Sequence, residues 1–147
     1  MQKEVGDQMN NGNYLIIHKN KVPEGSTILP AVWQMKRKRD IHTQEVKKYK
    51  ARLNVDGSRM ISGVHYDQTY SPVASWALVR LLLAVMALHG WHTTKIDFVQ
   101  AYAQEPVKRD LYENIPKGFE LEGVDQPRDY VLRLHKNVYG QKQAGRV

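Results

Sequence analysis

An α/β (α+β) fold is what the sequence predicts, and three patterns carry the prediction. Val46 to Val55 alternates apolar and charged residues with the period of a strand. Trp76 to His89 is a helical run with a single charge, Arg80. Short stretches at His92–Ile96, Asp110–Asn114 and Tyr130–Leu134 have the length and composition of strands. At 147 residues the chain has room for one domain of about 100–200 residues and is too short for a large multidomain enzyme. A hydrophobic share of 41%, with 3 Trp, 8 Tyr and 2 Phe, supports a modest core. Without cysteine, a disulfide framework, thiol catalysis and cysteine-held zinc or iron–sulfur sites are all excluded.

Taken in order, residues 1–31 read as a polar N-terminal segment that holds a short strand at Tyr14–Ile17 and a turn at Pro23–Ser26. The first 13 residues have no apolar centre of the kind a signal peptide needs. Residues 32–75 form the next unit. In Val32–Lys38, Trp33, Met35 and the Arg37 stem alternate with polar neighbours. In Val46–Val55, Tyr49, Ala51, Leu53 and Val55 share one face, while Lys48, Lys50 and Arg52 share the other. Two basic-faced strands turning through Arg39–Gln44 make a hairpin, and Gly57–Pro72 follows as loop.

Residues 76–147 make the third unit. Ser75 offers a side-chain oxygen to cap a helix of about 13 residues from Trp76, stopped at Gly90. Its broad apolar face (Leu78, Leu81, Leu82, Val85, Met86) predicts a largely buried helix. The longest apolar run, Leu81–Leu88, falls well short of the ~20 residues that span a bilayer, so no membrane partner is expected. The strand His92–Ile96 then delivers Asp97 at its end, and Tyr139–Gly145 opens a turn or helix.

Charge is concentrated. Nine basic residues against three acids between Trp33 and Met60 give +6 of the chain's +7. Such a field suits a polyanionic partner, nucleic acid or a nucleoside triphosphate, and equally a solvated charged hairpin. Gly140–Gly145 lacks the Lys-Ser/Thr of a phosphate loop, and there is no GxSxG elbow. The six His are scattered; His89 and His92 straddle Gly90 and read as structural rather than metal-binding. Asp97 has two readings, a functional carboxylate at the end of a strand or a turn-forming loop Asp.

Several blocks, in order from about Asn13 to Val147, resemble the copia-type retrotransposon reverse transcriptases. Val32-Trp-Gln-Met-Lys-Arg-Lys38 is similar to the family's opening fingers strand, and Tyr49-Lys-Ala-Arg-Leu53 with Gly57 to its KARL…G segment. Gly63-Val-His-Tyr66 with Thr69-Tyr-Ser-Pro-Val73 resembles the G-x-x-Y…T-[FY]-[SA]-P-V block. Arg80–Ala84 matches the long palm helix, and Ile96-Asp-Phe-Val-Gln-Ala-Tyr102 the first catalytic block, D-x-x-x-A-[FY]. Ile115–Phe119 and Leu134–Gly140 are similar to the later P-x-G-F and L-x-K-x-L-Y-G segments.

The resemblance implies an incomplete right-hand polymerase fold: a fingers-like hairpin and loop (32–75), then a partial palm sheet with a long buried helix (76–147), ending before the second catalytic motif. It implies two-metal nucleotidyl transfer from a dNTP to a primer 3′-OH on an RNA or DNA template, with two Mg²⁺ ions held by oxygen ligands. Asp97 would be the first catalytic carboxylate and, with the Phe98 backbone carbonyl, a metal ligand. Phe98, Tyr102, Lys50 and Arg52 would meet the dNTP, Tyr102 by excluding a ribose 2′-OH. Lys36, Lys38 and Lys48 would meet nucleic acid. The remaining Pol polyprotein, integrase and RNase H included, would be its partner.

The chain departs from the family pattern at Gln141 and Gly145, where Leu and Pro are common, and at Met60–Ile61. No Asp-Asp pair of a Tyr-x-Asp-Asp block occurs in the 147 residues. One carboxylate cannot hold two metals, so the chain by itself is expected to be inactive. A catalytically inactive nucleic-acid-binding remnant and a truncated non-functional product stand as alternatives.

Overall fold

The computed structural model describes residues 1–97, 101–119 and 127–146, and for Tyr102 the backbone alone. It is a mixed α/β structure. A four-stranded sheet has the order β1 (Tyr14–His18), β6 (Tyr130–Lys136), β5 (Pro106–Asn114), β2 (Ile28–Leu29). β6 lies antiparallel to both β1 and β5, and β2 pairs with β5 in parallel. A separate antiparallel pair, β3 (Ala31–Arg39) and β4 (Val46–Val55), forms the predicted hairpin. The two other named helices are α1 (Gln2–Asn10) and α2 (Trp76–Leu88).

Period-2 patterning explains the sheet. Tyr14, Leu111, Leu132 and Leu134 sit on the face that makes the core, joined there by Leu29, Leu53, Val55 and Val138. The opposite face is mixed: Val131 and Tyr112 are buried there, while Arg133 donates to Asp110 at 2.7 Å. The N-terminal residues do more than lead in. α1 buries Val5 and Gln8, and β1 completes the edge of a sheet whose other long strands come from the far end of the chain. α1 went unpredicted because its sequence, QKEVGDQMN, has no apolar stripe beyond Val5 and Met9.

The hairpin joins the sheet at its base. Pro30 separates β2 from β3, and the Asp56 amide donates to the Pro30 carbonyl at 2.9 Å. The Val55 amide donates to the Tyr139 carbonyl at 2.9 Å, and Trp33 Nε1 to the Lys117 carbonyl at 2.9 Å. At this junction Gly57 and Gly140 lie backbone to backbone, so closely that a Cβ on Gly57 would overlap the Gly140 carbonyl and one on Gly140 the Val55 carbonyl. Gly140 has φ +90°, a conformation open to glycine and strained for other residues.

α2 forms where expected. Ser75 Oγ accepts from the Leu78 amide at 3.2 Å, and Gly90, at φ +65°, ends the helix with the Trp91 amide bonded to the Met86 carbonyl. The expected burial is corrected, however, because α2 has no buried residue and Leu81 is 62% exposed. Capping and propensity are local and form the helix wherever it lies. Burial needs a facing apolar surface, and none of the described elements presents one. The predicted strand His92–Ile96 is corrected too, since residues 91–97 are irregular and exposed and pair with no described strand. No helix among the described residues is long and apolar enough to cross a membrane.

Gln141 is buried at 5% exposure with its amide nitrogen unpartnered. An unpartnered buried amide costs about 1–3 kcal/mol. Gln141→Leu is therefore expected to raise stability by about 1–2 kcal/mol. An unchanged or lower urea midpoint for that variant would count against the packing described here.

Candidate functional site

Register decides what the hairpin displays. Across β3 and β4, Gln34 faces Arg52, Lys36 faces Lys50 and Lys38 faces Lys48. Directly opposed residues project to one side of an antiparallel pair, so one face carries all five predicted cations: Lys36, Lys38, Lys48, Lys50 and Arg52. The other face carries Trp33, Met35, Tyr49, Ala51 and Leu53, of which Leu53 is fully buried at the hairpin base. Two Lys–Lys pairs in direct opposition repel one another. An approaching phosphate backbone would turn that repulsion into attraction.

The strip is anchored at both ends. At the tip, Asp40 accepts from the His42 and Thr43 amides and pairs with Lys47. The Lys47 ammonium, and then those two amides, hold its carboxyl below the usual range. At the base, the Arg52 guanidinium lies 5.1 Å from the centre of the Tyr139 ring. Two segments singled out in the sequence, Tyr49–Leu53 with Gly57 and Leu134–Gly140, thus meet through this stack and the Gly57–Gly140 contact. Further along, Lys142 Nζ sits 5.2 Å over the Tyr66 ring and donates to the Met60 carbonyl at 3.4 Å.

Asp97 forms no hydrogen bond or ion pair with these groups among the described residues. It is exposed, at the end of the irregular 91–97 segment. Phe98 lies outside the described residues, as does the side chain of Tyr102, whose backbone belongs to a short 3₁₀ turn, Ala101–Gln104. Among the described residues no three His, Asp or Glu side chains converge on a possible metal position. His89, weighed above beside His92, instead stacks its ring on Trp91 at 5.4 Å. The donor set described here therefore does not fit a two-magnesium centre, which takes oxygen ligands from several directions.

Sequence reasoning missed two features of the structure. One is Glu113, fully buried at 0% exposure on the core face of β5, with both carboxylate oxygens unpartnered. Burial pushes its carboxyl up to about 8. The other is a cavity of about 550 Å³ beside the Gly63–Tyr66 loop. Glu113 stands in a run, Asp110–Asn114, that reads as an ordinary strand with polar residues facing out, and nothing local marks it as internal.

Residues 14–147 match the family described as reverse transcriptase (RNA-dependent DNA polymerase). The chain is 32% identical over 146 residues, 99% of its length, to the retrovirus-related Pol polyprotein from transposon TNT 1-94 of Nicotiana tabacum. It is 32% and 31% identical to the corresponding polyproteins from transposons RE2 and RE1 of Arabidopsis thaliana, in both cases over its full length. In each case it spans about a tenth of the relative, 10%. No solved structure matches. The match runs from β1 to the last residue and the relatives align over essentially the whole chain, so the chain belongs to the reverse transcriptase family and is related to the Pol polyproteins of copia-type transposons.

Proposed function

We propose that the chain supplies the template- and nucleotide-handling part of an RNA-directed DNA polymerase. Residues 32–75 would serve as a fingers-like unit and 76–147 as part of a palm, with residues 1–31 leading in. The observation that carries this reading is the positive strip of Lys36, Lys38, Lys48, Lys50 and Arg52 in one register. Lys50 and Arg52, nearest the anchored base, suit a dNTP triphosphate, because an Arg fork and a compact Lys charge both match phosphate oxygens. Lys36, Lys38 and Lys48 suit the backbone of an RNA or DNA template–primer.

In this reading Asp97 is the first catalytic carboxylate, the Phe98 carbonyl a metal ligand and Tyr102 the group that excludes a 2′-OH. Magnesium would activate the primer oxygen and steady the leaving pyrophosphate in the assembled enzyme. The residues described here do not complete its site. The chain alone should thus bind template–primer without extending it. Extension by the purified chain, lost on Asp97→Ala, would overturn the claim of inactivity.

Binding supplies the direct test. The affinity for template–primer should fall with salt, and neutralising Lys36 and Lys38 together should lower the log–log slope by about 2. Asp97→Ala should leave that binding unchanged. An unchanged slope in the double variant would remove the strip from the interface.

A further inference from the structure

Three arginines are half-buried among the described residues: Arg52, Arg109 and Arg133. Two of them are met by a carboxylate, Arg109 by Asp67 at 2.6 Å and Arg133 by Asp110 at 2.7 Å. Arg52 is held differently. It forms no ion pair among the described residues, and its Nε is buried without a hydrogen-bond acceptor. A buried donor left without an acceptor is rare and calls for a reason. What holds this guanidinium is the face of the Tyr139 ring, with the central carbon 5.1 Å from the ring centre.

The surroundings bring no acid to it. On its own face of the hairpin, Arg52 has Gln34 opposite and Lys50 and Asn54 as neighbours along the strand. Asp56, the nearest acid in sequence, accepts instead from the Ser58 amide and hydroxyl. Tyr139 is fixed through its main chain, since its carbonyl accepts from the Val55 amide at 2.9 Å. The ring thus reaches the hairpin base on a bond that does not depend on its side chain.

A ring and a carboxylate do different things to an arginine. A carboxylate takes parallel N–H groups of the fork and cancels the charge. The negative face of a ring holds the cation through its quadrupole, adds no net charge and leaves the donor edge of the guanidinium free. Covering one face also excludes water there, which strengthens the interaction of that edge with an anion.

We propose that Tyr139 is a positioning residue for the nucleoside triphosphate: its ring fixes the Arg52 guanidinium at the hairpin base without neutralising it, so that the donor edge meets phosphate oxygens at full charge. Tyr139 thereby adds, to the reading of Arg52 as a triphosphate ligand on which its role rests, the group that aims it.

Isothermal titration of the full chain with inorganic triphosphate tests this. Tyr139→Phe, which keeps the ring, should bind within about twofold of the unaltered chain. Tyr139→Leu should bind about 2- to 30-fold more weakly, the range of one cation–π contact. Tyr139→Glu should bind at least as weakly as Tyr139→Leu, because it holds the guanidinium but cancels its charge. In an Arg52→Gln background, Tyr139→Leu should change nothing further, a result that a purely structural role for the ring would not give. Every variant keeps the main-chain bond to Val55, and circular dichroism melts check that each folds.

Undiminished affinity in Tyr139→Leu, or a loss of equal size with and without Arg52, overturns the positioning role while leaving Arg52 a phosphate ligand. If Tyr139→Leu does not melt cooperatively, Tyr139→Phe against Tyr139→Glu decides, and equal affinity of those two overturns the proposal. If Arg52→Gln itself leaves triphosphate affinity unchanged, or the unaltered chain binds no triphosphate, the reading of Arg52 falls and the role of Tyr139 with it.

Discussion

Gly140→Ala is expected to cost about 3–5 kcal/mol and to leave little or no cooperative unfolding transition at 37 °C. Three penalties coincide at this residue. A non-glycine residue at φ +90° is strained by about 1–3 kcal/mol. The new Cβ would overlap the Val55 carbonyl, which belongs to backbone and cannot rotate away. Separating the two segments would stretch the bond from the Val55 amide to the Tyr139 carbonyl, now 2.9 Å, and unseat Arg52 from the Tyr139 ring. Against a total stability of about 5–15 kcal/mol, a loss of this size is large.

Gly57→Ala should be damaging through the same contact, since its Cβ would meet the Gly140 carbonyl. Gly145→Ala is the control, because a Cβ there meets nothing within 4 Å, and its stability should stay within about 0.5 kcal/mol. Urea melts followed by circular dichroism compare all three. A Gly140→Ala midpoint equal to that of Gly145→Ala would show that the junction is looser than described.

The second large effect is on pH dependence and comes from Glu113. In the folded chain its carboxyl titrates at about 8, and an unfolded carboxyl near 4.5. The folded state therefore holds a proton that the unfolded state releases between those values. Stability is full below about pH 4.5 and falls as the pH rises toward 8, by about 1.4 kcal/mol per unit. The whole loss is on the order of 4–5 kcal/mol.

His65 works in the opposite direction within the same window. Its lowered pKa means that the unfolded state binds more protons near pH 6, so its contribution grows as the pH rises. Asp40 and Asp56, both lowered by hydrogen bonds, lose their contributions only in acid, below the ordinary 3.8. Urea midpoints at pH 5.5 and pH 8 therefore isolate the two buried groups. The unaltered chain should be less stable at pH 8. Glu113→Gln, which keeps the shape of the protonated acid, should abolish that fall and expose the small rise from His65. A Gln variant that tracks the unaltered chain at both pH values would mean that Glu113 is ionised and partnered in the fold.

Glu113 also shows where reading the sequence stops. What is local was legible: the alternation of β4 placed its cations on one face, Ser75 capped α2, and Gly90 ended it. The paired strands β5 and β6 were visible as runs, with boundaries displaced by a few residues. What depends on distant partners was not. α2 has the composition of a buried helix yet faces no described surface, and 92–96 has the composition of a strand yet finds no ladder. α1 has only Val5 and Met9 as its apolar side and is held in place by those two against the core and by the Asn13 side-chain amide donating to the Gln8 side-chain oxygen. For the site, the alternation within each strand was legible, but that Lys36 and Lys38 share a face with Lys48, Lys50 and Arg52 depends on the register of β3 against β4, and Asn137 and Gln143 stay unmarked because burial without a partner has no signature in sequence.

The pairing of β1 with β6, which sets Tyr14 against Leu134, also orders events in time. A ribosome adding about 5–20 residues per second needs on the order of ten seconds to travel from one to the other. Throughout that interval the first strand has no neighbour, whereas the β3–β4 hairpin can close within about 1–10 μs of its synthesis. The arm that carries the charge is thus born before the body that holds it. On the ribosome, the cationic strip is available to any polyanion several seconds before the sheet beneath it exists.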